Sequence, residues 1–393
     1  MMPTLDNLES IWTAQCEELH DDPSDVFCVR YSPDSTLLAA GCADGTVRVF
    51  RGGTGRLAHT LDGSPDEGGG TAGRFRVRVP MTCMRWRPSA AAGGGTAGGG
   101  VLVTADAGGT IHHWRASAAS SELLHTLREP DGNQVYALDF RADGLQFASA
   151  GKDAAVRVYD EATRANLLTL SAGMVGYPGA AAGHSSRIFS LRFAAPHEPS
   201  LLVSAGWDNT VLFWDLRSAQ VVGSIYGPHV CGDALDIAPG TGQLLTGSWK
   251  PTKQLQLWDL RARTPLAPIP FRRAAPEFEA AGPPASSTST SQPCKLYAAQ
   301  FDKAGDGRLI AAGGSGSVEG AGELRLFRRT ARASMASEPY VAVGRASLPK
   351  SVYSLDLAAS GKHVAATAGG NLVQVFEVPE RPVAMEDELT IVS

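Results

Sequence analysis

Seven times along the chain an apolar stretch closes on an aromatic side chain, at Phe50, Trp114, Tyr159, Trp214, Trp258, Phe327 and Phe376. Successive aromatics lie 64, 45, 55, 44, 69 and 49 residues apart, and the shortest of these intervals match the roughly 40 to 45 residues of one four-stranded propeller blade. The longer intervals hold insertions rich in Gly, Ala, Ser and Pro, near 64–74, 89–100, 172–183 and 274–293. Such tracts bury too little side chain to offset the entropy of ordering them, so they are expected to be surface loops. A chain of 393 residues could hold two or three ordinary domains, but a radial array uses that length in one closed body.

Within a repeat the pattern is a meander. Repeat four reads as IFSLRF (188–193), LLVSA (201–205), a tight turn at Trp207-Asp208-Asn209, a third strand at 210–214 and a fourth at 221–225. Turn-forming residues separate each pair, as antiparallel neighbours require. The first strands, such as VYALDF (135–140) and VYSLDL (352–357), are apolar on consecutive residues, which predicts that both faces are covered. An aromatic recurs at the second position of that strand, at Phe27, Tyr136, Phe189, Tyr297 and Tyr353. Packing between blades accounts for this spacing and places the five in the core; a ring of stacking residues is the alternative.

The segments GHSSRIFSLRF, LLVSAGWDNTVLFWDLR and LLTGSWKPTKQLQLWDLR resemble WD repeats. The resemblance covers the chain from about Ile11 to Phe376. It implies an all-β fold: a single seven-bladed β-propeller of four-stranded antiparallel blades over 11–378, with an extension at 1–10 and a tail at 379–393. It also implies a buried tetrad of His184, Ser204, Asp208 and Trp214, whose polar groups are costly alone and satisfy one another when linked. Parts of that set recur as Ser149, Asp153 and Tyr159, as Asp44 and Phe50, and as Thr246 with Trp258, where Lys250 stands in place of the Asp. The tail is broken by Pro379 and Pro382, whereas IWTAQCE (11–17) reads as a strand, so the N-terminal segment is expected to close the last blade and put His20 in the loop position before the first.

Several chemistries find no support in the chain. Its net charge of −5 and lack of a long basic run favour neither nucleic acid nor an anionic membrane. The first residues form no leader and no segment spans a bilayer, which points to a cytoplasmic protein. Cys16, Cys28, Cys42, Cys83, Cys231 and Cys294 form no CxxC pair and are expected to be reduced. The glycine tracts lack the Lys-Ser or Lys-Thr of a phosphate loop. His229, Cys231 and Asp233 alternate, a spacing a metal could use, although a loop into the fifth blade is the better reading. No catalytic, cofactor or metal set is expected.

What remains is surface. Alignment to the resembled repeat places Lys152, Arg187, Trp207, Trp249 and Lys250 on the narrower face around the channel, where that family docks peptides and partner proteins. Trp and Arg commonly anchor interfaces. WDLR occurs twice, ending at Arg217 and Arg261, and resembles the adaptor-docking signature of substrate receptors for cullin RING ubiquitin ligases. The expectation is a noncatalytic scaffold in a hetero-complex, with a ciliary or flagellar assembly suggested by likeness to WD-repeat proteins of ciliated cells. The ligase receptor is the alternative.

Overall fold

The computed structural model describes residues 7–16, 24–63, 79–88, 99–130, 132–173, 182–194, 198–238, 240–271, 294–304, 306–316, 320–330 and 339–380. Among these, 28 strands form seven four-stranded antiparallel sheets. No helix there is long and apolar enough to cross a membrane. The insert positions 64–74 and 274–293, most of 89–100 and 172–183, His20 and the tail beyond 380 lie outside the described residues.

The first strands of the seven sheets are Val26–Tyr31, Met81–Trp86, Val135–Phe140, Ile188–Phe193, Leu235–Ala238, Leu296–Phe301 and Val352–Leu357. Each packs against the next and the last against the first, so the sheets close into a ring around an axis. Six sheets are consecutive meanders. The seventh joins Val352–Leu357, His363–Ala368 and Leu372–Glu377 to Ser10–Gln15, which pairs antiparallel with Leu372–Glu377. The expected seven-bladed propeller, latched by its own leading strand, is the observed fold.

The core lies between blades rather than within them. One cluster joins Leu37, Val47 and Val49 of the first blade to Met84, Leu102 and Trp114 of the second. Another joins Ala148 and Val156 of the third to Ile188, Leu202 and Trp214 of the fourth. Continuous apolarity in the inner strands follows from this covering of both faces.

The seven marker aromatics share a local device. Opposite each of them the outer strand carries one extra residue, for instance between Val221 and Gly223 facing Trp214 and Phe213, and between Ser10 and Trp12 facing Phe376 and Val375. The same shift occurs at Phe50, Trp114, Tyr159, Trp258 and Phe327. A bulge of this kind bends the strand and leaves the extra residue unpaired. It explains exposed apolar side chains such as Ile11, Leu167, Val222 and Leu266 on the outer edge.

In the fourth blade Trp214 Nε1 donates to Ser204 Oγ at 2.8 Å, Ser204 Oγ meets His184 Nε2 at 2.7 Å, and His184 Nδ1 meets Asp208 at 2.7 Å. Indole can only donate and carboxylate can only accept, so a neutral imidazole with its proton on Nδ1 satisfies every group. The third blade builds an equivalent set with a different head group. Glu129 precedes Ser149 by the same interval that separates His184 from Ser204. Its buried carboxylate accepts from Ser149, from Tyr159 at 2.9 Å, from Arg157 at 2.7 Å and from Asn133 at 2.8 Å. Among the described residues the second and fifth blades show the pair alone, Trp114 to Thr104 at 3.1 Å and Trp258 to Thr246 at 2.9 Å.

Burial alone would push the Asp208 carboxyl up, but hydrogen bonds from His184, Thr210 and the Ser185 backbone outweigh it and hold it at about 2. The folded value lies below the ordinary 3.8, so the stabilisation is complete above about pH 4 and is lost as pH falls towards 2. It is worth on the order of 1–2 kcal/mol. Asp208→Asn should lose stability at pH 7 and show a shallower decline between pH 5 and pH 2.5 than the wild type in urea titrations; parallel declines would contradict the assignment.

Candidate docking face and the channel beneath it

The antiparallel meander brings two loops of every blade to one end of the ring: the loop entering the first strand and the turn between the second and third. Backbone hydrogen bonds fasten them to each other, from Ala43 to Asp25, Ala107 to Pro80, Lys152 to Gln134, Trp207 to Arg187, Trp249 to His229, Ser315 to Lys295 and Gly369 to Ser351. This rim surrounds the mouth of the axial channel.

Inside the mouth, the second position of each inner strand points at the axis. The five aromatics expected in the interblade core are instead half-buried and line a cavity of about 360 Å³. The reason is a bulge. The register of the first strand against the second shifts across Phe27, Thr82, Tyr136, Phe189, Tyr297 and Tyr353, which turns each of these side chains out of the strict alternation. Two arcs of rings result. Phe27, Tyr353 and Tyr297 follow one another at 6.0 and 5.5 Å between centroids, and Tyr136 stacks on Phe189 at 4.7 Å. Thr82 and Asp233 fill the two positions without a ring.

One layer deeper, the fifth position of the inner strands is polar all round: Arg30, Arg85, Asp139, Arg192, Asp236, Gln300 and Asp356. The acceptors in this set cap a backbone N–H of the next blade, Asp139 at Phe193, Asp236 at Phe301, Gln300 at Leu357 and Asp356 at Tyr31. The arginines converge on Asp233. Its carboxylate accepts from Arg30, from Arg85 at 2.7 Å, from Arg192 at 3.0 Å and from Ser190 at 3.0 Å. Arg192 also bonds Asp236 at 3.0 Å, and Lys303 pairs with Asp356 at 2.6 Å. Burial pushes the Arg30 and Arg85 guanidiniums down and the Asp139 carboxyl up. The sequence reading missed this ring, although an Arg or Asp at the same position of six repeats was the available signal.

On the rim itself, Trp207 stacks on Phe189 at 5.3 Å and on His229 at 6.3 Å, with the Arg187 guanidinium 4.9 Å from its centroid. It remains 40% exposed. Trp249 is half-buried beside Tyr297, with Lys295 Nζ 3.9 Å above its ring, and Lys250 reaches back to the Gly227 carbonyl at 2.6 Å. Lys152 is exposed. The five residues aligned to this face thus lie on consecutive blades around one mouth. His229, Cys231 and Asp233 take three separate roles, as a stacking partner of Trp207, a channel-wall thiol and the hub of the arginines, and among the described residues no His, Cys, Asp and Glu group is arranged to hold a metal.

The family described as WD domain, G-beta repeat matches residues 15–51, 121–160 and 180–215. Those segments contain the first three strands of blades one, three and four with their turn carboxylates and closing aromatics. The chain carries three matched WD repeats on a seven-bladed propeller. Its sequence repeat runs out of phase with its blades, since 121–160 takes the outer strand of blade two and the first three strands of blade three. Blade five of this WD-repeat propeller lies outside the matched segments, in keeping with Lys250 at the place of the turn Asp.

The propeller is 26% identical to the methylosome protein WDR77 of Xenopus laevis over 49% of this chain and 50% of that one. It is 33% identical to the small ribosomal subunit protein RACK1 of Drosophila melanogaster over 20% and 24%, and 22% identical to the WD repeat-containing protein slp1 of Schizosaccharomyces pombe over 61% and 41%. The matches thus span half the length or less of these relatives. Arg217 and Arg261 of the WDLR segments follow the third strands of blades four and five, at the opposite end of the ring, and both are exposed; Arg217 pairs with Asp215 at 3.3 Å.

Proposed function

We propose that this WD-repeat propeller is a noncatalytic interaction platform in a multiprotein assembly, and that partners dock on the rim formed by Lys152, Arg187, Trp207, Trp249 and Lys250. The observation that carries this reading is Trp207, a large indole left 40% exposed yet stacked on Phe189 and His229 and held by Arg187. A rigid aromatic with an adjacent guanidinium loses little entropy on binding, which is what an interface anchor requires. WD propellers as a class serve mainly as scaffolds for protein contacts, and the relatives' names place two of them in a methylosome and a ribosomal subunit.

Trp207→Ala with Trp249→Ala should lose partners in a native co-purification read by mass spectrometry, while the thermal midpoint moves by only a few degrees. An unfolded double variant would make the two indoles structural. The ligase-receptor reading is favoured by one observation, the exposure of Arg217 and Arg261 at equivalent places on adjacent blades. Loss of a ligase adaptor from the same purification in Arg217→Ala with Arg261→Ala would select it. The proteins recovered also test the ciliary or flagellar setting.

A further inference from the structure

We infer that the segment accepted by this rim is an acidic peptide of a partner protein, its carboxylates on the rim and one apolar side chain in the channel mouth. This deepens the platform reading and rests on it.

Of the described carboxylates around the face, Asp44 is matched by Arg48 at 2.8 Å, Asp153 by Arg157 at 2.5 Å and Glu323, on the third strand of blade six, by Arg325 at 2.6 Å, while Asp208 is held by the neutral His184 at 2.7 Å and Asp25 and Asp106 accept from backbone N–H groups. Lys152, Arg187, Lys250, Lys295 and Lys350 have no carboxylate partner among the described residues. Arg187 and Lys295 lie instead over the Trp207 and Trp249 rings, and Lys250 donates only to a carbonyl. Cations without a carboxylate partner over a low-dielectric mouth recruit anions and repel basic segments.

The cavity below sets the second half of the chemistry. Its wall is aromatic, from Phe27, Tyr136, Phe189, Tyr297 and Tyr353, and its volume of about 360 Å³ suits one or two side chains. The carboxylate at its floor, Asp233, already receives three guanidiniums and a hydroxyl, so an incoming cation would meet arginines rather than a free acceptor. Arg30, also on the wall, keeps a buried Nε–H without a hydrogen-bond partner among the described residues, a donor suited to an acceptor on the ligand.

Random-peptide display on the full chain, followed by fluorescence anisotropy of the selected peptides, tests this. Selected sequences should be enriched in Asp and Glu, and should bind Lys152→Glu with Lys250→Glu and Lys295→Glu about tenfold or more weakly than the wild type, with affinity falling as salt rises. The corresponding Lys→Gln variant, with its melting curve, guards against a folding defect and should lie between the two. Neutral or basic peptides that need Trp207 and Trp249 but ignore the charge reversal would overturn the acidic assignment and leave the platform intact. Peptides indifferent to both sets, or none selected, would count against both. A single-stranded oligonucleotide that displaces the selected peptide at equal charge would overturn the assignment to peptide.

Discussion

Trp214→Ala should destabilise the propeller by about 3–5 kcal/mol, the range for truncating a fully buried large aromatic. Trp214 is 1% exposed and packs in the cluster that joins blades three and four. Removing it opens a cavity between two blades and takes the indole N–H away from Ser204, which then keeps only His184 as a partner. Trp214→Phe separates these effects, because it retains most of the volume and loses the hydrogen bond, and should cost nearer 1–2 kcal/mol. The check is the urea midpoint at constant slope. A loss below about 1 kcal/mol for the alanine variant would mean that the blade interface does not depend on this ring. Trp207, seven positions upstream in the same blade, supplies the contrast, since its exposure predicts a change an order of magnitude smaller.

The contrast between these two tryptophans also marks where the sequence was informative. Meander order, the closing aromatic and the latching of Ser10–Gln15 onto Leu372–Glu377 could be read because each rests on local patterning: alternating strands and turns, and a tail with prolines where a strand is needed. The His184 tetrad could be read because its offsets follow from the turn geometry. Glu129 could not be found by a search for histidine, although it stands at the same distance before Ser149 and gathers the same partners together with Arg157. The second-position aromatics were placed in the core because strict alternation sends them there. One bulge, repeated in six blades, turns them into the channel instead, and a bulge leaves no signature in a string of apolar residues. The fifth-position ring acquires meaning only on closure, when side chains 148 positions apart, such as Arg85 and Asp233, come within 2.7 Å.

Closure of that ring also makes Asp233 the residue whose loss should cost most after Trp214. Asp233→Ala leaves Arg30, Arg85 and Arg192 facing one another across the channel without the carboxylate they share. Arg85 keeps Asp139 at 3.6 Å and Arg192 keeps Asp236 at 3.0 Å, whereas Arg30 retains hydrogen bonds to the Val29 and Leu355 carbonyls and to Ser354 and the attraction of the Asp356 carboxylate, without a direct ion pair. Breaking a buried ion pair by removing one partner typically costs about 3–5 kcal/mol, because the remaining charge is left uncompensated. The half-open mouth admits water and moves the expectation to the lower part of that range. Asp233→Asn should fall between the variant and the wild type, as it still accepts one hydrogen bond but carries no charge. The variant has an internal control: three guanidiniums around a vacated carboxylate form an anion site, so sulfate or chloride should recover part of the lost urea midpoint in Asp233→Ala and less in the wild type. A midpoint that drops by less than about 1 kcal/mol, or that salt shifts equally in both proteins, would show that the arginines are balanced by their other partners and that the channel does not need its central acid.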